Sequence, residues 1–216
     1  MQLHTNISEA KAQAVRIVHF LHQKGYAPAT SSNYSVREAS EPCFWVSESG
    51  IDKGDFALQH FMLVDAAGSP LQDPRRPSAE TGLHALIYAH CPTAQCVLHT
   101  HTVYNTILSQ YYAAAGQLEL CNYEVLKGLT GITTHTQTVK IPIFANTQHI
   151  PDLCADLAAY WRENPDIRAF LIDGHGLYTW GSTPADTKRH IEVLEFLLEC
   201  EYRKLTLPMG EGKRPK

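Results

Sequence analysis

Along the chain, apolar positions recur at two spacings, three to four residues apart and two apart, and the switches between them mark out the elements. The wider spacing predicts a helix over residues 8–24, capped by Ser8 and stopped by Gly25. Short strands are predicted over 34–38 and 43–47, joined by a polar turn through Pro42. A third strand over 61–65 ends in the turn Ala67-Gly-Ser-Pro70. A helix over 78–90 takes Ser78 as its cap and has Pro92 beyond its end. A buried strand over 95–100 leads into a helix over 103–112, and a short helix over 123–129 is closed by Gly128 and Gly131. The rest reads as a strand over 138–144, a helix over 151–162 and a strand over 169–173. A returning antiparallel strand over 177–180 and a long amphipathic helix over 184–205 complete the pattern.

Strand pairs interleaved with helices predict an α/β fold of the α+β type, with a central mixed, largely antiparallel sheet covered by helices on its faces. No internal repeat, low-complexity tract or linker divides the chain. Residues 1–216 therefore read as a single domain, with a core over about 8–203 and a flexible C-terminal tail over 206–216.

Composition narrows the function. The 216 residues carry 18 Lys+Arg against 22 Asp+Glu, a net charge of −4, and 44% are hydrophobic. A domain of this size buries roughly 70% of its unfolded surface and needs no staples. The mild acidity and the lack of a basic stripe argue against nucleic acid as a partner, and Lys213-Arg-Pro-Lys216 reads as a solvated end. No basic segment followed by an apolar run opens the chain, and no stretch approaches 18 apolar residues, so neither secretion nor a membrane span is expected. Six cysteines without a C-x-x-C pair predict reduced thiols in a cytoplasmic protein. Histidine is the unusual count, at twelve.

Two histidine-bearing segments carry chemistry. His99-Thr-His101 closes an apolar strand, where residues i and i+2 point to the same face roughly 7 Å apart. Such a pair can fill two corners of a metal site, although it also occurs without a metal. Gly174-His175-Gly176 ends the later apolar strand, and flanking glycines let the backbone turn and present the ring; a plain turn has the same sequence. Joined, His99, His101 and His175 make a three-histidine set with an open position, the pattern of a catalytic rather than a structural zinc.

Glu124, between the apolar Tyr123 and Val125, is a candidate for proton transfer with a raised pKa, or else surface decoration. Thr30-Ser-Ser-Asn-Tyr-Ser35, Ser47-Glu-Ser-Gly50 and Lys53 offer hydroxyl, amide and cationic donors for a phosphate, as ordinary turns also do. No Walker sequence, G-x-G-x-x-G, H-E-x-x-H or G-x-S-x-G is present, so nucleotide binding and serine hydrolysis have no support.

Taken in order, Thr30-Ser-Ser-Asn-Tyr-Ser-Val-Arg37, Ser47-Glu-Ser-Gly50, Pro77-Ser-Ala-Glu80, His99-Thr-His101 and Asp173-Gly-His-Gly176 resemble the class II, zinc-dependent aldolase/epimerase family. The resemblance covers nearly the whole chain. Within that family, Tyr123-Glu-Val-Leu-Lys-Gly128 looks like the segment of the methylthioribulose-1-phosphate dehydratases. It implies a class II aldolase-like fold, one Zn²⁺ per subunit on His99, His101 and His175, and Glu124 as acid/base. It implies a phosphorylated sugar substrate bound by Asn33, Ser49, Gly50 and Ser78, with Glu80 in reach of metal or substrate. It also implies a homotetramer with sites at subunit contacts. Two departures stand out: Ser32 occupies the place of the family's glycine, and Glu80 retains the aldolases' glutamate. An aldolase or pentose-phosphate 4-epimerase, or a silent binding module like the adducin head domain, are the competing readings.

Overall fold

The computed structural model describes residues 6–39 and 41–207. The chain opens with α1 (Ile7–Gln23), β1 (Tyr34–Val36), β2 (Phe44–Ser47), β3 (Phe61–Val64) and α2 (Thr81–His90). It continues through β4 (Cys96–Thr100), α3 (Val103–Tyr112), β5 (Gln117–Leu120) and a 3₁₀ turn at Glu124–Gly128. β6 (Val139–Phe144), α4 (Ile150–Glu163), β7 (Ala169–Ile172), β8 (Gly176–Gly181) and α5 (Pro184–Thr206) complete it.

The eight strands form one sheet in the order β3-β2-β1-β4-β8-β7-β6-β5. Every pairing is antiparallel except β6 with β7, where Ile143 lies opposite Leu171. The sheet is thus mixed and largely antiparallel, as the strand pattern predicts. Alternation along β4 divides its side chains between two cores. Leu98 faces the layer of α1, α3 and α5, where Val18, Leu108, Leu194 and Leu198 pack. Val97 faces α2 and α4, among Ile87, Leu157 and Trp161. Each such aliphatic side chain contributes about 1.5–3 kcal/mol by leaving water. The two layers hold β4 and β8 at the centre, and both histidine segments project from one end of that central pair.

Several expected boundaries shift. Asn6, not Ser8, caps α1, its side chain accepting from the Ser8 amide at 2.9 Å. α2 starts at Thr81 rather than Ser78, because Glu80 (φ −93°, ψ 12°) is still outside helical geometry. β5 was not expected: Gln117-Leu-Glu-Leu120 is a short edge strand whose buried leucines alternate with exposed positions. Of the tail expected over 206–216, Thr206 still belongs to α5, while residues 208–216, including the basic cluster, lie outside the described residues. All six cysteines are free thiols. No helix among the described residues is long and apolar enough to cross a membrane.

Candidate metal centre

His99 sits near the end of β4, His101 two residues on, and His175 in the turn between β7 and β8. One ring nitrogen from each converges within 4.8 Å. His99 and His101 bring their Nε2 atoms to 2.8 Å. His99 Nδ1 meets the Leu177 carbonyl at 3.0 Å, so its proton sits on Nδ1 and its Nε2 lone pair faces the cluster. The His99 ring stacks on Tyr178 (centroids 4.0 Å apart, 13° between planes), which stacks in turn on Phe170, fixing its orientation. Burial, reinforced by the neighbouring imidazoles, pushes His99 well below the usual histidine range. Burial followed by His175 and Lys53 pushes His101 down to about 4. Neutral imidazoles aimed at one point are what a divalent metal requires, and three protein nitrogens leave a position open for substrate. The residues fit a metal ion.

The turn that carries His175 depends on its glycines for different reasons. Gly174 has φ +61°, the left-handed region. At Gly176 a Cβ would fall 2.4 Å from the Thr100 carbonyl oxygen and 2.7 Å from His99 Cε1, so any side chain there displaces the first histidine. α3 holds the turn from outside. Ser109 Oγ accepts from the Gly174 amide at 3.0 Å, and Thr106 Oγ1 donates to the His175 carbonyl at 3.3 Å.

Glu80, at the N-terminal edge of α2, reaches into the same cluster. Its Oε1 lies 3.1 Å from His175 Nε2, and its Oε2 lies 3.5 Å from His99 Nε2. Asn33 Nδ2 and Tyr178 Oη both donate to Glu80 Oε2 at 2.6 Å. A carboxylate only accepts, so the Asn33 amide nitrogen must face Glu80 and its Oδ1 must face His84. His84 Nε2, at 2.5 Å, is then the donor, and His84 Nδ1 accepts from Ser35 Oγ at 2.7 Å. Burial pushes His84 down to about 3, consistent with this neutral tautomer. A buried chain of one polarity thus runs from Tyr88 through Ser35, His84 and Asn33 to Glu80.

The other expected contacts divide. Ser49, Gly50 and Ser78 come together because the segment after β2 pairs with the one before α2, Glu48 bridging to Pro77 and the Ser49 amide donating to the Arg76 carbonyl. The Asn33 side chain is turned to the histidine cluster, its Nδ2 donating to Glu80 and its Oδ1 facing His84. Lys53 is buried with Nζ on the Thr30 and Ile51 carbonyls, so it ties the two loops together. Ser32, in place of the family's glycine, has φ +71°, so the loop keeps the left-handed turn despite the side chain.

Glu124 departs from expectation within one chain. It is 69% exposed, and its charged partners among the described residues are Lys127 and His135. Its hydrogen bond to Lys127 holds the carboxyl below its usual range, the opposite of the expected rise. Tyr123 turns away from it to donate to Glu201 at 2.8 Å.

A cleft of about 630 Å³ opens beside His101 and His175, with Val103 and Ile107 of α3 on one side and Asn146 and Gln148 on the other. Sequence reading missed the roles of His84 and Tyr178. The signal for His84 was a histidine four residues after Glu80, one helical turn along.

Residues 12–202 match the family described as Class II Aldolase and Adducin N-terminal domain. The methylthioribulose-1-phosphate dehydratase of Enterobacter sp. (strain 638) is 48% identical over 180 residues, covering 83% of this chain and 87% of that protein. The protein of the same name from Picosynechococcus sp. (strain ATCC 27264 / PCC 7002 / PR-6) is 44% identical over 199 residues, covering 91% and 93%. Among solved structures, YgbL of Klebsiella pneumoniae, a putative aldolase/epimerase/decarboxylase, superposes with a TM-score of 0.76 at 22% identity, covering 96% of this chain and 93% of that one. L-fuculose-1-phosphate aldolase of Thermus thermophilus superposes with a TM-score of 0.73 at 21% identity, covering 94% and 99%. The shared sheet, the matched 191-residue span 12–202 and these relatives place the chain in the class II aldolase and adducin N-terminal domain family.

Proposed function

We propose that the chain is a zinc-dependent lyase that dehydrates 5-methylthioribulose 1-phosphate to 2,3-diketo-5-methylthiopentyl 1-phosphate, a step of methionine salvage. The observation that carries this reading is 48% identity to a dehydratase of that name across most of both chains. The convergence of His99, His101 and His175 supplies the chemical rationale.

Zinc held by these imidazoles supplies Lewis-acid polarisation of a carbonyl and so acidifies a neighbouring C–H bond. The chain's own residues do the rest. Glu124 takes the proton from C3 and returns one to the C4 hydroxyl as it departs as water. The resulting enol, C3(OH)=C4, tautomerises to the 2,3-diketone. Ser49, Gly50 and Ser78 hold the phosphate away from the reacting carbons, and that remote binding energy keeps C3 and C4 in register. Asn33, Tyr178 and His84 keep Glu80 pointed at the histidines.

Glu124 lies in solvent and is not among the residues around the cleft. We assign it to the cleft of a neighbouring copy in a homotetramer. An apolar stripe along α3 supports such a contact: Val103 and Tyr111, two helical turns apart, are 65% and 62% exposed, with Ile107 between them. Free thiols throughout fit a cytoplasmic enzyme.

One observation favours the competing aldolase or epimerase reading: Glu80 Oε1 lies 3.1 Å from His175, within reach of the metal centre. Incubation with methylthioribulose 1-phosphate and identification of the product by mass separates the two.

A further inference from the structure

The β4–α3 junction is held from behind by a carboxylate on a different element. Glu195, in the middle of α5, is buried to 1% exposure. Thr100 Oγ1 donates to its Oε1 at 2.7 Å, Thr102 Oγ1 donates to its Oε2 at 2.8 Å, and Asn105 Nδ2 donates to Oε1 at 3.0 Å. All three donors come from the six residues that contain His101. A buried carboxylate costs stability unless its oxygens are satisfied, so an aliphatic side chain would serve the core of α5 better. Ile191, Leu194 and Leu198 fill the rest of that face.

The arrangement has a consequence for the histidines. In extended backbone, neighbouring side chains point to opposite faces. Thr100 and Thr102 therefore point back toward α5, while His99 and His101 point forward to the metal centre. The two threonines bracket His101, so the two oxygens of one carboxylate fix the backbone on both sides of it. Asn105 extends the clamp: its Nδ2 also reaches the Thr100 carbonyl at 3.2 Å, and its Oδ1 accepts from the Thr102 amide at 3.0 Å. Thr102 Oγ1 accepts from the Asn105 amide at 3.1 Å while donating to Glu195, so its hydroxyl is used in both directions.

We propose that Glu195 is the positioning residue of the metal centre, setting the angle between His99 and His101 through Thr100 and Thr102 without touching metal or substrate. This rests on the metal-centre reading above. Groups that orient ligands from behind are worth about 10–100-fold in metal affinity. Glutamine at this position offers one acceptor and one donor where two acceptors are needed, and so releases one threonine.

The test titrates metal-free protein with cobalt(II), following visible ligand-field absorption, and measures zinc affinity by chelator competition. Unfolding of the metal-free form is recorded alongside. Glu195→Gln should weaken both metals by about tenfold or more and alter the cobalt spectrum. Glu199→Gln, a change at a half-buried position one turn along α5 whose partner is Arg203, should bind as the parent does. If Glu195→Gln does not fold, Thr100→Val carries the test: it should weaken binding, and Thr100→Ser, which restores the hydroxyl, should recover it. Parental affinity and spectrum in Glu195→Gln, or in Thr100→Val, with only a lowered unfolding midpoint, would make Glu195 a structural acid and overturn the proposal. A parent that binds neither metal would instead overturn the metal-centre reading on which it rests.

Discussion

Asn33 Nδ2 lies 2.6 Å from Glu80 Oε2, and this contact ties the first loop of the chain to the three-histidine cluster. The resemblance implies a phosphate contact at this position, whereas the amide contacts in the fold run to Glu80 and His84. Its second end is held by His84 at 2.5 Å.

Asn33→Ala should therefore act through Glu80. Losing a hydrogen bond to a charged group costs about 1.5–3 kcal/mol, or roughly tenfold to a hundredfold. The loss should follow the pattern of Glu80→Gln, a lower kcat with part of the effect in KM, because the carboxylate is misdirected in the one and discharged in the other. Steady-state kinetics with the phosphorylated sugar checks this. A raised KM with kcat unchanged would return Asn33 to the phosphate.

The histidine cluster predicts one metal ion per chain. His99→Ala and His101→Ala should each lower metal content sharply, measured by elemental analysis, and abolish turnover. The sheet should remain folded, because Leu98, Val97 and Leu177 pack it without help from the metal. Full metal content in the double variant would contradict the assignment.

Much of this architecture is legible in the residues themselves. α3 has the bounds its apolar spacing predicts, and the His-x-His and Gly-His-Gly segments meet because β4 and β8 are neighbours. What pattern does not reveal is which polar groups find each other across the fold. Asn33 and Glu80 are 47 residues apart, and Thr102 and Glu195 are 93 apart. Glu195 leaves a trace, since it shares the apolar face of Ile191 and Leu198, where a charge needs partners. Glu124 leaves the opposite one: apolar neighbours in sequence suggested burial, but the short 3₁₀ turn swings it into solvent.

The two glutamates should separate by kinetics. Glu124→Gln keeps shape and hydrogen bonding but cannot accept a proton, so kcat should fall by about 10²–10⁴-fold with metal still bound. Glu80→Gln should be milder and should partly appear as weaker binding. An inactive Glu80→Gln beside a nearly normal Glu124→Gln would move the acid/base role to Glu80 and favour aldolase-type chemistry.

His84 gives the fold a pH dependence of definite sign. Burial pushes it down to about 3, whereas an unfolded histidine titrates near 6.5. Between those values the unfolded chain binds a proton that the folded chain does not, so stability falls as pH drops from about 6.5 toward 3. The slope from one proton is about 1.4 kcal/mol per pH unit. His99 and His101 act in the same direction, so the comparison is with His84→Gln. Urea unfolding of the metal-free proteins between pH 4.5 and 7 should give a slope shallower by up to that amount in the variant. Equal slopes would contradict the neutral, buried His84.

The central claim is elimination of water across C3 and C4, and the mass balance of one reaction tests it. Methylthioribulose 1-phosphate incubated with the zinc-loaded protein in D₂O should give a single phosphorylated product, lighter by one water and carrying one solvent deuterium at C4. Two fragments, a three-carbon ketose phosphate and methylthioacetaldehyde, would show C3–C4 cleavage instead. A product of unchanged carbon skeleton and unaltered oxygen count would show epimerisation. Either outcome would contradict the dehydratase.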